Sequence, residues 1–190
     1  MNDLIKFLNQ RIPLSEEEFN YLKTEVEILN VRKNQILLSE GLVSSEFYFV
    51  IQGCLRLYYT SDSEEKTAYF YTENMFASSY ESFNKRIPAK HAIAAVEDSI
   101  LTVFKYEQVE RFLSFSPRFE ILARIVMEEE LAACQSIISS FVTQNAEMRY
   151  LSLLRDERKL TERIPQYQIA TYLGVSPETL SRIRKRIVRK

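Results

Sequence analysis

Between residues 27 and 104 apolar residues come in short bursts, and on either side they fall into a longer helical stride. This switch of period constrains the fold more than any other feature. The bursts are Ile28–Val31, Gln35–Leu38, Phe47–Ile51, Leu55–Tyr59, Thr67–Tyr71, Ala89–Ala95 and Ile100–Phe104, separated by polar clusters such as Ser61-Asp62-Ser63-Glu64-Glu65. Short runs rich in Val, Ile, Phe and Tyr read as strands, and many of them in close succession predict a sandwich or jelly-roll barrel. Gly41 and Gly53 fall where the chain turns between strands.

The flanks are helical. Ser15 and Glu18 have capping-box spacing, followed by Phe19, Leu22 and Val26 at helical intervals. Periodicity returns at Tyr106–Leu113, and Ser116-Pro117 then offers an N-cap with proline at the first helical position. The helix that follows can run to about Gln144 without Gly or Pro, with an apolar stripe through Phe119, Leu122, Val126, Ala133, Ile137 and Phe141. A helix longer than the barrel it leans on needs a second surface to cover, so it predicts a homodimer, with Leu122, Val126, Ala133 and Ile137 at the seam. Small residues such as Ser136 and Ser140 permit the close approach of a partner.

Composition removes several functions. The chain of 190 residues has one histidine, His91, and two cysteines, Cys54 and Cys134, with no CxxC. Zinc and iron sites usually draw several His or Cys from one chain, so no metal or other cofactor is expected. A cupin-type barrel enzyme would need two or three inward histidines, and the chain is read as a non-enzyme. With only three glycines, Gly41, Gly53 and Gly174, there is no glycine-rich phosphate loop. No apolar run approaches the roughly 20 residues of a membrane span, and the start lacks a signal peptide's apolar stretch, so the cytoplasm is the expected compartment.

Charge is unevenly spread. The chain carries −1 overall, but Arg149–Lys190 holds 11 Lys+Arg against 4 Asp+Glu, net +7, leaving −8 on the remainder. A basic end on an acidic body suits a polyanionic partner.

Residues 165–190, PQYQIATYLGVSPETLSRIRKRIVRK, fit a helix-turn-helix position by position. Ala170 is small where the second helix crosses the first. Gly174 can take the left-handed backbone that ends the first helix, and Val175 fills the corner. Ser176 can cap the second helix, with Pro177 at its first position and Glu178 near the positive end of its dipole. Leu180, Ile183 and Ile187 form one face, and Glu178, Arg182, Lys185 and Arg189 the opposite one, flanked by Ser181. A solvated helix usually mixes both signs, so a face this cationic expects an anion. In a major groove, Arg182 suits a guanine edge and Glu178 a cytosine amino group. Ser176, Thr179, Lys185, Arg186 and Arg189 suit phosphates.

Strand domain, long helix and C-terminal helix-turn-helix together resemble the Crp/Fnr family of transcription regulators. Phe47 to Leu55 is similar to the family's strand-turn-strand around a glycine, and Ser176 to Arg182 resembles its recognition helix, departing at Pro177, where the family often has Arg. The resemblance implies an α+β fold. Residues 1–115 would form a cyclic-nucleotide-binding-like double-stranded β-helix or jelly roll, 116–144 a dimerisation helix, and 145–190 a winged-type helix-turn-helix. It further implies that two copies read a near-palindromic site on double-stranded DNA, with RNA polymerase and a small-molecule effector as further partners.

The effector region departs from relatives that bind cyclic nucleotides, where a glutamate holds the ribose and an arginine the phosphate. Ala77 and Ser78 stand where Gly-Glu would be, and Pro88 or Ala89 where the arginine would be, with Arg86 and Lys90 the nearby cations. An unpaired buried phosphate costs several kcal/mol, so cAMP is not the expected effector. Phe76, Ser78, Ser79, Tyr80 and Lys90 are the candidate lining for another one. Cys54 and Cys134 do not make the cysteine cluster of the family's iron–sulfur branch, and His91 reads as a surface residue rather than a haem ligand. The competing reading from another class is a scaffold whose basic C-terminal helices dock an acidic protein.

Overall fold

Pro13 interrupts the helical N-terminus, giving α1 (Asn2–Asn9) and α2 (Glu16–Glu25) in the computed structural model, which describes residues 2–188 except the side chains of 158, 159 and 188. The capping box forms as expected. The Glu18 N–H donates to Ser15 Oγ at 3.2 Å, and the Ser15 N–H donates to Glu18 Oε2 at 2.7 Å. Glu18 is buried and also accepts from the Ser116 hydroxyl, far along the chain. Burial pushes its carboxyl pKa up, but the hydrogen bonds from Ser116 and Ser15 and the nearby Arg118 outweigh this and hold it below the usual value. A depressed carboxyl adds stability above its unfolded pKa of about 4.3, and this is lost as pH falls through the folded value. Glu18→Gln is therefore expected to cost about 2 kcal/mol at neutral pH. Thermal unfolding at a series of pH values should show the gap to the wild type closing below about pH 4.

The strand region holds β1 (Glu27–Val31), β2 (Ile36–Leu38), β3 (Glu46–Gln52), β4 (Leu55–Ser61), β5 (Glu64–Tyr71), β6 (Phe76–Ala77), the short helix α3 (Tyr80–Lys85), β7 (Ala92–Ala95) and β8 (Ser99–Lys105). They form two four-stranded sheets, ordered β1-β8-β3-β6 and β2-β7-β4-β5. Each strand thus neighbours its mirror in the sequence, β1 with β8, β2 with β7, β3 with β6 and β4 with β5. That is one long hairpin rolled up, the jelly roll. Its tip is the turn Asp62-Ser63, where both residues have positive φ (56° and 64°), as the tightest hairpin turns require. β6 was not foreseen, because two residues are too few to show a period. The expected strand Ala89–Ala95 is shortened at its start to Ala92, and Pro88 makes only an isolated bridge to Val43.

Helices follow: α4 (Tyr106–Phe115), α5 (Pro117–Thr143), α6 (Ala146–Asp156), α7 (Arg158–Arg163), α8 (Gln166–Tyr172) and α9 (Pro177–Val188). The Ser116 hydroxyl accepts from the Arg118 N–H at 3.2 Å at the start of α5. The wing implied by the resemblance has no counterpart among the described residues. Among the described residues no strand follows β8, and α6 and α7 take up the stretch before the helix-turn-helix.

The chain divides into two compact units, Met1–Leu57 with Phe70–Glu130, and Tyr58–Tyr69 with Leu131–Lys190. In the first, Leu4, Leu22, Phe49, Phe104, Phe112 and Phe119 share one core. In the second, Ile169, Ala170, Leu173 and Leu180 are buried, and the Thr67 N–H on the β4–β5 hairpin donates to Thr171 Oγ1 at 3.2 Å. Among the described residues no helix is long and apolar enough to cross a membrane.

Candidate nucleic-acid interface

The turn between α8 and α9 closes through two backbone bonds. The Val175 N–H donates to the Ala170 carbonyl and the Gly174 N–H to that of Thr171, each at 3.0 Å. This is a Schellman cap, and its left-handed residue is Gly174 at φ +70°. Ser176 Oγ then accepts from the Thr179 N–H at 3.3 Å, and the Ser176 carbonyl takes the first helical bond from Leu180. Pro177 occupies the first position of α9, where a missing N–H costs nothing. Hydrogen bonds from Ser176 and from its own backbone hold the Glu178 carboxyl below the usual range, so it stays ionised at the positive end of the helix.

Leu180 and Ile183 are buried and Ile187 is half-buried, placing the expected apolar face inward. Two arginines secure the flanks of α9. Arg184 Nη1 donates to Gln166 Oε1 of α8 at 2.7 Å, and Arg186 Nη1 to Glu147 Oε2 of α6 at 2.7 Å. Between these struts the exposed face presents Glu178, Ser181, Arg182 and Lys185, with Thr179 half-buried at its edge. Arg182 Nη2 donates to Thr179 Oγ1 at 3.0 Å, which steadies its guanidinium along the helix. Arg186, expected at a phosphate, stays exposed while its guanidinium pairs with a carboxylate on another helix. Arg189 lies outside the described residues.

Two residues that hold this unit together were not singled out from the sequence. One is Arg184. The other is Arg149, whose Nη1 and Nη2 donate to the carbonyls of Gln144 (2.6 Å) and Leu173 (2.7 Å) while its guanidinium lies 4.3 Å from the centre of the Phe141 ring. It satisfies carbonyls left over at two helix ends. No local pattern marks it, because its partners lie up to 24 residues away.

On α5, Leu122 and Val126, expected at a dimer seam, are buried in the core of their own chain. A stripe that covers its own barrel cannot also face a partner. Ala133 and Ile137 are half-buried. The large apolar residues exposed on α5 are Ile121, Leu131, Ile138, Phe141 and Val142, with Val142 81% exposed.

In the strand unit, a cavity of about 330 Å³ includes Phe76, Ser78 and Tyr80 in its lining. Ser79 is buried at the start of α3, and Lys90 is exposed, its Nζ 3.1 Å from Glu81 Oε2. The structure therefore separates these two from the other three candidate residues. Arg86 ends α3 with φ 54°, donates to the Ser44 carbonyl at 2.6 Å and lies over the Tyr106 ring. His91, read as a surface residue, is half-buried, and burial keeps its pKa below the usual value despite the charge of Glu40. Among the described residues no group of three or more His, Cys, Asp or Glu could hold a metal.

Along the chain a jelly roll is followed by a long helix and then by a helix-turn-helix. Residues 28–114 match the family model of the cyclic nucleotide-binding domain, and the chain has the fold of the Crp/Fnr transcriptional regulators. No curated protein matches it in sequence. Among solved structures it is similar to FixK2 from Bradyrhizobium japonicum, with a TM-score of 0.75 and 17% identity over 86% of this chain and 85% of that one. The c-di-GMP-responsive global regulator CLP from Xanthomonas campestris gives a TM-score of 0.75 at 15% identity, covering 92% of each chain. A Crp/Fnr-family regulator from Eubacterium rectale gives 0.73 at 20% identity, covering 93% of this chain and 85% of its own.

Proposed function

We propose that this protein is a sequence-specific DNA-binding transcriptional regulator that acts as a homodimer in the cytoplasm, with a sensor domain that does not take cAMP. The observation that carries the reading is the α9 face. Exposed Glu178, Ser181, Arg182 and Lys185 lie between two arginine struts on a helix that begins at a tight glycine turn. Such a helix is rigid enough to enter a major groove, and beyond Glu178 its exposed face carries cations with no acid interleaved on α9. Arg182 and Glu178 then read base edges, and Ser176, Thr179 and Lys185 hold phosphates. Residues 1–115 serve as sensor, 116–144 as the connecting helix and 145–190 as the reader. RNA polymerase is the further partner such a regulator would engage.

Pairing of two chains is supported by the exposed residues Leu131, Ile138 and Val142 on α5, which water does not stabilise. Weak affinity for cyclic nucleotides is supported by the two nearby cations. Arg86 is held by Ser44 and Tyr106, and Lys90 by Glu81, so neither is presented to a buried phosphate.

The test is selection of bound sequences from a random duplex library. The expected product is a near-palindrome with half-sites about 34 Å apart, one turn of DNA. The double variant Leu131→Glu with Ile138→Glu should sediment as a monomer and lose the palindrome while keeping weak half-site binding. A wild-type protein that ignores duplex DNA at about 50 mM salt, yet binds an acidic protein in a salt-sensitive way, would overturn the proposal in favour of a scaffold.

A further inference from the structure

The strand unit carries an apolar pocket of about 330 Å³, half open to solvent along α5. Six phenylalanines wall it, each from a different element: Phe47 of β3, Phe76 of β6, Phe83 of α3, Phe104 of β8, Phe112 of α4 and Phe119 of α5. Their rings touch in sequence. Phe47 stacks on Phe104 at 4.9 Å and meets Phe76 and Phe83 edge-on at 5.6 and 5.5 Å. Phe112 lies 6.0 Å from Phe104 and 5.4 Å from Phe119. A water molecule here would find almost no hydrogen-bonding partners, and a space of this kind favours an apolar occupant.

The polar atoms are few. Ser78, Tyr80 and Asn84 line the cavity, and the Asn84 amide already donates to the Tyr80 carbonyl at 2.9 Å. The one cation of the lining, Arg124, is paired with Glu128 at 2.8 Å and points its charge along the exposed surface of α5. An anion placed among the rings would therefore lack a counter-charge, at a cost that excludes it. Volume and polarity agree on one class of occupant. We infer that this cavity binds a small, uncharged, mainly aromatic molecule of bicyclic size, seated on the six phenylalanines with at most a hydroxyl or carbonyl directed to Ser78. That the occupant acts as an effector rests on the regulator reading above. That it binds does not.

The probe is N-phenyl-1-naphthylamine, uncharged and fluorescent in apolar surroundings, added to the full-length protein. Saturable enhancement at one probe per chain is expected. Neutral 1-naphthol should displace the probe, whereas 1-naphthoate and cAMP should not. Ala123→Phe, which puts a ring into the space from the exposed side of α5, should weaken the probe by more than about tenfold with the melting temperature retained. The Leu131→Glu, Ile138→Glu variant should bind the probe as the wild type does. Absence of saturable binding, equal competition by naphthoate or cAMP, or full binding to Ala123→Phe would overturn the inference. Loss of the probe in the α5 variant would also overturn it, by assigning the space to contact with a second copy. DNA affinity measured with the probe bound separates the two readings. Binding of the probe without any change in DNA affinity removes the effector role and leaves the site standing. A wild-type protein that takes the probe but not DNA sinks the regulator reading alone.

Discussion

Replacing Arg182 by alanine is expected to erase preference at one base pair of each half-site while leaving the rest of the recognised sequence unchanged. A bidentate arginine on guanine is worth about 1–3 kcal/mol of discrimination, roughly fivefold to 150-fold per half-site, and a dimer loses it twice. Lys185→Ala should behave differently. It sits on the same exposed face, but its compact charge suits a phosphate, so every sequence should weaken alike. Salt dependence separates the two. With about four or five phosphate contacts per half-site, log K should fall against log[salt] with a slope near −8, and Lys185→Ala should reduce that slope by about 2. Titrating labelled duplexes that differ at single positions, at several salt concentrations, measures both quantities. An Arg182→Ala protein that weakens all duplexes equally would remove Arg182 from the base edge and place it on the backbone.

Gly53→Ala should be the most damaging small substitution in the strand unit. A Cβ at this position would stand 2.2 Å from Ser99 Oγ and 2.7 Å from the Ser99 Cα, and the backbone there has φ +109°. The backbone conformation alone costs about 1–2 kcal/mol for a residue with a side chain. Relieving the clash by moving backbone adds about 1–3 kcal/mol, for a total of about 2–5. Against a domain stability of about 5–15 kcal/mol this brings the unit close to unfolding at physiological temperature. Gly41→Ala is the internal comparison. Its φ is +84°, but nothing lies within 4 Å of an added Cβ, so only the backbone cost applies. Urea unfolding of both variants isolates the contact with Ser99. Equal losses for the two would mean that β3–β4 and Ser99 do not approach as closely as the structure has them.

These two glycines show where sequence reading stops. Both read simply as turns, and both are turns. Only the structure reveals that one of them has strand β8 pressed against it, because Ser99 lies 46 positions further along the chain. The backbone path of the turn at Gly174 was legible, although the Arg149 bond to the Leu173 carbonyl was not. Its small Ala170, its glycine, its capping Ser176 and its Pro177 interact within a few residues, so their order in the sequence carries the geometry.

The long helix divides in the same way. Its start at Ser116-Pro117 and its unbroken run to Thr143 follow from capping and from the absence of Gly and Pro, both local. Which of its residues face inward does not. Leu122, Val126, Ala133 and Ile137 lie on one regular stripe, yet only the first two are covered by the core of their own unit. Arg186 is a further example, since only folding brings Glu147 of another helix beside it. The cavity is the extreme case. Six phenylalanines scattered over 73 residues are ordinary core candidates in the sequence, and nothing in their spacing shows that they stop short of filling the space between them.

The sequence by itself determined the kinds of elements, most of their limits, the recognition-helix turn and the two-sided character of α9, because caps, periods and turn residues act between near neighbours. The tertiary structure alone decided which faces are covered, which cations are already engaged and where an apolar space is left open. Those outcomes depend on contacts between residues tens of positions apart, whose energies no local pattern records.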